Sequence, residues 1–262
     1  MAIVNVTDDS FYAGSRTMTH EAVRARVERA IAEGATIIDV GGYSSRPNAA
    51  DIAPEQEWER VRAGVEAVRE VDKGIAVSVD TFRAEIVRKV AEQFGEFIVN
   101  DITAGEADEA MLATVAEFGL PYIAMHMRGT PQTMQSLTDY EDVVGQVRDY
   151  LAERVEIMVA QGIRRENIIL DPGFGFAKTV EQNYRLLGGL HEICALGYPV
   201  LAGMSRKSMI YRLLGTTPED ALCGTQVLGW EALRQGATIL RVHDVREAVQ
   251  TLKMFETYRA QL

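Results

Sequence analysis

Eight short apolar runs in this sequence end in polar residues, in the order Asn5, Asp39, Asp80, Asn100 with Asp101, His126, Asp171, Ser205-Arg206-Lys207, and Arg241 with His243. Three chemistries separate among them. Asp80, Asn100 and Asp171 offer two carboxylates and an amide. A carboxylate can accept two parallel N–H bonds from the amino-pyrimidine edge of a flat heterocycle, and an amide can read the polar atoms beside it. The alternative is that each accepts a bond from a neighbouring backbone N–H. Arg46, Arg206, Lys207, Arg241 and His243 form a second group, suited to phosphate or carboxylate. Other basic residues, such as Arg24 and Arg154, are expected in solvated ion pairs. The third group is the stretch Asp171-Pro172-Gly173-Phe174-Gly175-Phe176-Ala177-Lys178-Thr179. It lacks the spacing of a nucleotide phosphate loop. Its glycines instead let the backbone pass close to a ligand, with Phe174 or Phe176 as a wall. Gly41-Gly42-Tyr43-Ser44-Ser45-Arg46-Pro47 is expected to be a similar, mobile loop.

The elements that must position these residues are legible. The runs 2–6, 36–40, 75–79, 97–100, 122–125, 167–170, 200–203 and 237–242 are nearly continuous in apolar character, as in strands buried on both faces of a parallel sheet. Helical patterns lie between them, with Val23, Val27, Ala30 and Ile31 on one face and Trp58, Val61, Val65 and Val68 on another. Gly34, Gly74, Gly95, Gly119, Gly162, Gly197 and Gly236 each stand between a helical pattern and the next strand, where glycine permits the left-handed turn that ends a helix. The segment 33–40 resembles 235–242 internally. Thr217-Pro218-Glu219-Asp220 is expected to cap and start a helix, and Asp244 to cap the last one.

Eight β and α segments alternating in about 250 residues have the size and rhythm of a (β/α)8 TIM barrel, an α/β fold whose chemistry sits at the carboxyl ends of the strands. The rival is a doubly wound open sheet, which normally carries a glycine-rich nucleotide loop after its first strand. Asn5-Val6-Thr7-Asp8-Asp9-Ser10 is no such loop. No linker or low-complexity segment interrupts the series, so residues 1–262 are expected to form a single domain.

Composition narrows the partners. A formal charge of −11 argues against nucleic acid, which needs a basic footprint. No apolar run approaches the roughly 20 residues of a membrane helix, and the start, Met1-Ala2-Ile3-Val4-Asn5, has no basic region followed by an apolar stretch, so neither a membrane association nor a secretory leader is expected. Two cysteines, Cys194 and Cys223, make no disulfide framework and read as small helix hydrophobes in a reducing, cytoplasmic setting. The four histidines match no zinc spacing; His20 and His191 fall in helical patterns as surface or packing residues. No nucleophile elbow appears.

Taken jointly, Ile3-Val4-Asn5-Val6-Thr7 with Asp9-Ser10-Phe11, the 41–47 loop, Val79-Asp80-Thr81, Val99-Asn100-Asp101-Ile102, Met125-His126-Met127-Arg128-Gly129-Thr130-Pro131, Asp171-Pro172-Gly173-Phe174-Gly175-Phe176, Ser205-Arg206-Lys207-Ser208 and Arg241-Val242-His243-Asp244-Val245 resemble the dihydropteroate synthase family, in order and over nearly the whole chain. The resemblance implies a pterin-binding barrel that condenses a dihydropterin methyl diphosphate with 4-aminobenzoate in folate biosynthesis, the step sulfonamides target. It implies pterin contacts from Asp80, Asn100, Met125, Asp171 and Lys207. Asn5, Arg241 and His243 would take the diphosphate, Asn5 also a magnesium ion. Ser45, Arg46, Pro47, Phe176 and Ser205 would shape the 4-aminobenzoate site. The catalytic set would be Asn5, Asp80, Lys207, Arg241 and His243, and the assembly a homodimer.

The chemistry suits these residues. Loss of diphosphate from a heterocyclic methylene leaves a cation that the ring delocalises, so an S_N1-like path is expected, governed by electrostatics and positioning. Departures from the family pattern are Asp8 for a common proline, Tyr43 for glutamate, Ser45 for threonine and Arg128 for glutamine. The chain also starts almost at its first strand, so either a less covered barrel bottom or a trimmed sequence is expected. Two other readings share the fold. A pterin-binding methyltransferase would leave the Ser-Arg-Lys and Arg-Val-His motifs without a role, and a non-catalytic pterin-binding homologue has only Asp8 in its favour.

Overall fold

A computed structural model describes residues 1–6, 20–44 and 51–261. Along the chain, β1 (Ala2–Asn5) is followed by α1 (His20–Ala32), β2 (Ile37–Gly41) by α2 (Pro54–Val71), β3 (Ala76–Asp80) by α3 (Ala84–Phe94), and β4 (Ile98–Asp101) by α4 (Met111–Phe118). β5 (Tyr122–Met125) leads to α5 (Val143–Ala160), and β6 (Ile168–Asp171) to α6 (Val180–Gly188) and α7 (Leu190–Cys194). β7 (Leu201–Ala202) leads to α8 (Ser208–Leu214) and α9 (Leu222–Gln235), and β8 (Ile239–Leu240) to α10 (Val245–Arg259).

β1 to β6 form one parallel sheet in chain order, and β7 pairs with β8. Two single bridges, Leu170 to Val200 and Ala2 to Val242, join these pieces into a closed barrel. At the second seam the Ile3 N–H donates to the Val242 carbonyl at 2.9 Å and the Val242 N–H to the Met1 carbonyl at 3.0 Å. Closure rules out the open doubly wound sheet. β7 and β8 are shorter than their apolar runs because a side chain replaces part of the ladder. The Thr238 hydroxyl accepts from the Val200 N–H at 3.0 Å and donates to the Val200 carbonyl at 3.3 Å.

Alternation along each strand sorts the residues. Val4, Ile38, Val40, Val77, Val79, Val99, Tyr122, Ala124, Ile168 and Leu170 face outward into a core shared with Val23, Val27, Val61, Val65 and Val68 of the helices. The inward side carries polar residues. Parallel register sets Asn5, Gly41, Asp80 and Asn100 in one row across β1 to β4.

Six of the seven helix-ending glycines have positive φ, from 64° at Gly119 to 110° at Gly236. The internal repeat is structural. The Ala35 N–H returns to the Ala30 carbonyl, and the Ala237 N–H to the Ala232 carbonyl, each at 2.9 Å. Gly74 is the exception: the Asp72 carboxylate accepts from the N–H groups of Gly74 (2.7 Å) and Ile75 (3.2 Å), and this side-chain turn removes the need for a left-handed residue. The expected Thr217 cap is also corrected. Pro218–Asp220 forms a single 3-10 turn with no side-chain cap, and α9 starts later, at Leu222. Cys223 is exposed on α9 rather than packed, while Cys194 is half-buried.

Candidate active site

Three strands bring a buried ion cluster to the carboxyl mouth. Arg241, just past β8, donates from Nε to Asp39 at 2.6 Å and from Nη2 to Asp80 at 2.7 Å. Asn100 of β4 donates its amide to the same Asp39 carboxylate at 3.2 Å. Asp39 is fully buried, so its charge must be balanced by these donors. Burial pushes the Asp80 carboxyl up to about 7; Arg241 pulls it down and the like charge of Asp39 adds to the rise. Burial also opposes the charge on Arg241, but Asp39 and Asp80 outweigh it and hold the guanidinium above its ordinary value. Gly41 keeps the row open, since a Cβ there would lie 3.2 Å from the Asn5 amide oxygen and 3.6 Å from Asp80 Cβ.

Asp171, at the end of β6, stands in register with Met125. Its Oδ1 accepts the Gly173 N–H at 2.8 Å, so the backbone-bonding alternative holds for one oxygen; the other takes no hydrogen bond among the described residues. Burial raises the Asp171 carboxyl, against the attraction of Lys207. Lys207 donates to the Phe174 carbonyl and lies 4.7 Å from the centre of the Phe176 ring. Burial lowers its ammonium to about 8, although Asp171 favours the charge. The aromatic wall is Phe176, half-buried beside Met125, Met127, Met134, Ile102 and Ala177. Phe174 is fully buried in the core and does not serve as that wall.

His243 completes the mouth. The Ser205 hydroxyl accepts the His243 backbone N–H at 3.1 Å and shares a second hydrogen bond with His243 Nδ1 at 3.0 Å, which fixes the orientation of the ring. Burial, with Arg241 nearby, lowers the imidazole to about 4, so it is neutral at pH 7. Ser205, expected along the 4-aminobenzoate wall, is therefore committed to His243. Arg206 leaves the anion group altogether: Asp244 takes its Nε and Nη2 at 2.8 and 2.9 Å, and the Pro218 and Glu219 carbonyls take Nη1 at 2.7 and 2.6 Å. The same contact explains why Asp244 places no side-chain cap on α10.

Ser45, Arg46, Pro47 and Asp8 lie outside the described residues. Tyr43 meets Phe82 edge-on at 4.9 Å, and the Arg128 guanidinium lies 3.7 Å over the Tyr140 ring. Two functional candidates gained no role from the sequence. Asp39 is a charged residue inside an apolar strand, and alternation alone puts it on the inward side with Gly41. Lys178 is buried and donates to the carbonyls of Gly173 and Phe176; its position directly after the glycine loop was the available signal.

The sequence matches the family described as pterin binding enzyme over residues 1–243. The chain belongs to that family. It is 43% identical to the dihydropteroate synthase of Escherichia coli (strain K12), over 98% of this chain and 90% of that one. Among solved structures, the Yersinia pestis dihydropteroate synthase with a sulfonamide drug complex superposes with a TM-score of 0.93 at 37% identity, covering 99% of this chain and 93% of that one. The Xanthomonas albilineans dihydropteroate synthase in complex with 7,8-dihydropteroate gives 0.88 at 36%, covering 99% and 92%. Membership of the pterin-binding enzymes fits a mouth that sets buried carboxylates and an amide beside cations. No helix among the described residues is long and apolar enough to cross a membrane.

Proposed function

We infer that the chain condenses 7,8-dihydropterin-6-ylmethyl diphosphate with 4-aminobenzoate, giving 7,8-dihydropteroate and diphosphate in folate synthesis, a transfer that forms a C–N bond. The observation that carries this reading is the convergence, at one mouth, of Asp80, Asn100 and Asp171 with Arg241 and Lys207. The free oxygen of Asp171 and the carboxylate of Asp80 accept N–H groups of the pterin, Asn100 adds an amide edge, and Met125 supports the ring. Lys207 exchanges the Phe174 carbonyl for a polar atom of the pterin. Arg241 and the neutral His243 ring face the diphosphate, with Asn5 at the same row.

As the methylene C–O bond breaks, its electron pair leaves with the diphosphate and positive charge spreads into the ring. Ionised Asp80 and Asp171 stabilise that charge, and Arg241 stabilises the departing one. The neutral arylamine nitrogen then forms the C–N bond and releases a proton to solvent. Phe176 forms one wall for the arylamine; Ser45, Arg46 and Pro47 complete our proposed site, and Ser205 acts through its hold on His243.

A divalent metal ion serves this family, and we propose magnesium. Among the described residues, no three acidic, histidine or cysteine side chains form a cage for an ion. The Asn5 amide oxygen fits a hard ion that keeps waters and takes its other ligands from substrate phosphates, whose charge it would offset. We further propose one domain over 1–262, a cytoplasmic setting in keeping with the unpaired cysteines, and a homodimer. The exposed Leu213 and Leu214 of α8, Val227 of α9 and Met254 and Tyr258 of α10 support the dimer, which light scattering checks.

The direct test supplies both substrates and magnesium. Dihydropteroate is expected to form only with 4-aminobenzoate present, and Lys207→Met to abolish most of it. A purified, folded enzyme that makes no dihydropteroate contradicts the assignment.

A further inference from the structure

We propose that Lys178 is a positioning residue for the condensation, clamping the loop after β6 from its buried side so that Phe176 keeps its place when Lys207 leaves that loop for the pterin. This rests on the synthase reading above. Lys178 is 5% exposed, and its ammonium makes no hydrogen bond to a carboxylate among the described residues. Its three N–H donors have three acceptors: the Gly173 carbonyl at 2.9 Å, the Phe176 carbonyl at 2.9 Å and His126 Nδ1 at 3.0 Å.

The anchor is fixed. The His126 N–H donates to the Asp171 carbonyl at 2.9 Å, and its ring sits edge-on to Tyr150 at 4.9 Å. Burial, then Lys178 and Arg128, lower the imidazole to about 2, so the ring stays neutral, and the Lys178 ammonium, which can only donate, makes Nδ1 the acceptor. The loop has bonds of its own, Phe176 N–H to the Gly173 carbonyl at 3.1 Å and the Gly173 and Gly175 N–H groups to Asp171 and Asn183 at 2.8 and 2.7 Å, but its backbone is unusual. Gly173, Gly175 and Ala177 all have positive φ, at 69°, 83° and 48°. A side chain at Gly173 would bring its Cβ to 2.0 Å from the His126 carbonyl. Ala177 carries a Cβ in a region that L-residues rarely adopt.

Two lysines thus divide the loop's carbonyls. Lys207, at the mouth, takes Phe174; Lys178, beneath it, takes Gly173 and Phe176. Only the first has to move for the substrate. Phe176 borders the arylamine, so releasing the buried clamp should misplace that wall while leaving the Asp80, Asn100 and Arg241 side intact.

Lys178→Met keeps the chain length and removes all three donors. The KM for 4-aminobenzoate is expected to rise at least about tenfold, the loss of a positioned contact. The dissociation constant of dihydropterin diphosphate, measured without 4-aminobenzoate, should stay within about threefold. Should this variant not fold, His126 supplies the second arm. His126→Asn leaves an acceptor near Nδ1 and should stay close to wild type, while His126→Leu should reproduce the selective KM rise. Equal weakening of both substrates, an unchanged KM in a folded variant, or identical behaviour of the two His126 variants would overturn the clamp. The wild-type enzyme assayed in parallel separates the two claims: absent turnover there removes the synthase reading and the clamp with it, whereas normal turnover beside an unaffected Lys178→Met removes the clamp alone.

Discussion

The two sides of the barrel mouth hold their cations by opposite means. Beside β2, β3 and β8, Arg241 is gripped by the carboxylates of Asp39 and Asp80. Beside β6 and β7, Lys178 and Lys207 are gripped by backbone carbonyls. Full charges on the first side keep the guanidinium charged and fixed. On the second side burial outweighs the attraction of Asp171, so the ammonium groups fall to about 7 and 8. A permanent anion such as diphosphate is best met by the first arrangement. A group that must let go of one partner and take another is better served by the second.

The largest expected effect comes from breaking the charged side. Arg241→Met leaves Asp39 buried without its cation, and removing one partner of a buried pair costs about 3–5 kcal/mol. Denaturant titration should find that loss together with absent turnover; near-normal stability would mean that Asn100 alone satisfies Asp39.

Asp39→Asn tests the same side more gently. The kcat/KM for dihydropterin diphosphate should fall on acidification through about pH 7, as Asp80 takes up its proton. Removing the like charge of Asp39 lowers the Asp80 value, so this acid limb should move to lower pH. A limb that stays in place assigns it to another group. The stability sign is the reverse of the usual carboxylate case. Unfolded Asp80 loses its proton near 3.8 and folded Asp80 near 7, so between those values the native state binds more protons and stability from this group declines as pH rises.

The smallest effect marks where the lysine side ends. Thr179 caps α6 reciprocally with Gln182, at 3.2 and 2.8 Å. Thr179→Ala should cost about 1 kcal/mol of stability yet leave the 4-aminobenzoate KM unchanged. A selective KM rise would show that the cap, and not Lys178 alone, holds the loop.

Strand order and barrel closure were legible because each strand is an apolar run and most intervening helices end at a glycine that needs positive φ, Gly34 and Gly236 being the plainest pair. The polar strand ends named Asp80, Asn100 and Asp171 as one group and Arg241 in another, and the structure ties Asp80, Asn100 and Arg241 together through Asp39. Partner choice was not legible. Arg206 and Arg241 look alike in sequence, but only the structure sets Asp244 against the first and Asp39 against the second. Asp39 and Lys178 were overlooked for a shared reason: their value comes from long-range hydrogen bonds, and no local spacing encodes those.

A crystal structure with dihydropterin diphosphate bound tests the central claim most directly. The pterin should lie across the mouth with its amino edge on the second oxygen of Asp171, its diphosphate towards Arg241 and His243, and Lys207 withdrawn from the Phe174 carbonyl while Lys178 keeps its three partners. A ring bound elsewhere, or one leaving Asp171 and Arg241 untouched, would contradict the account.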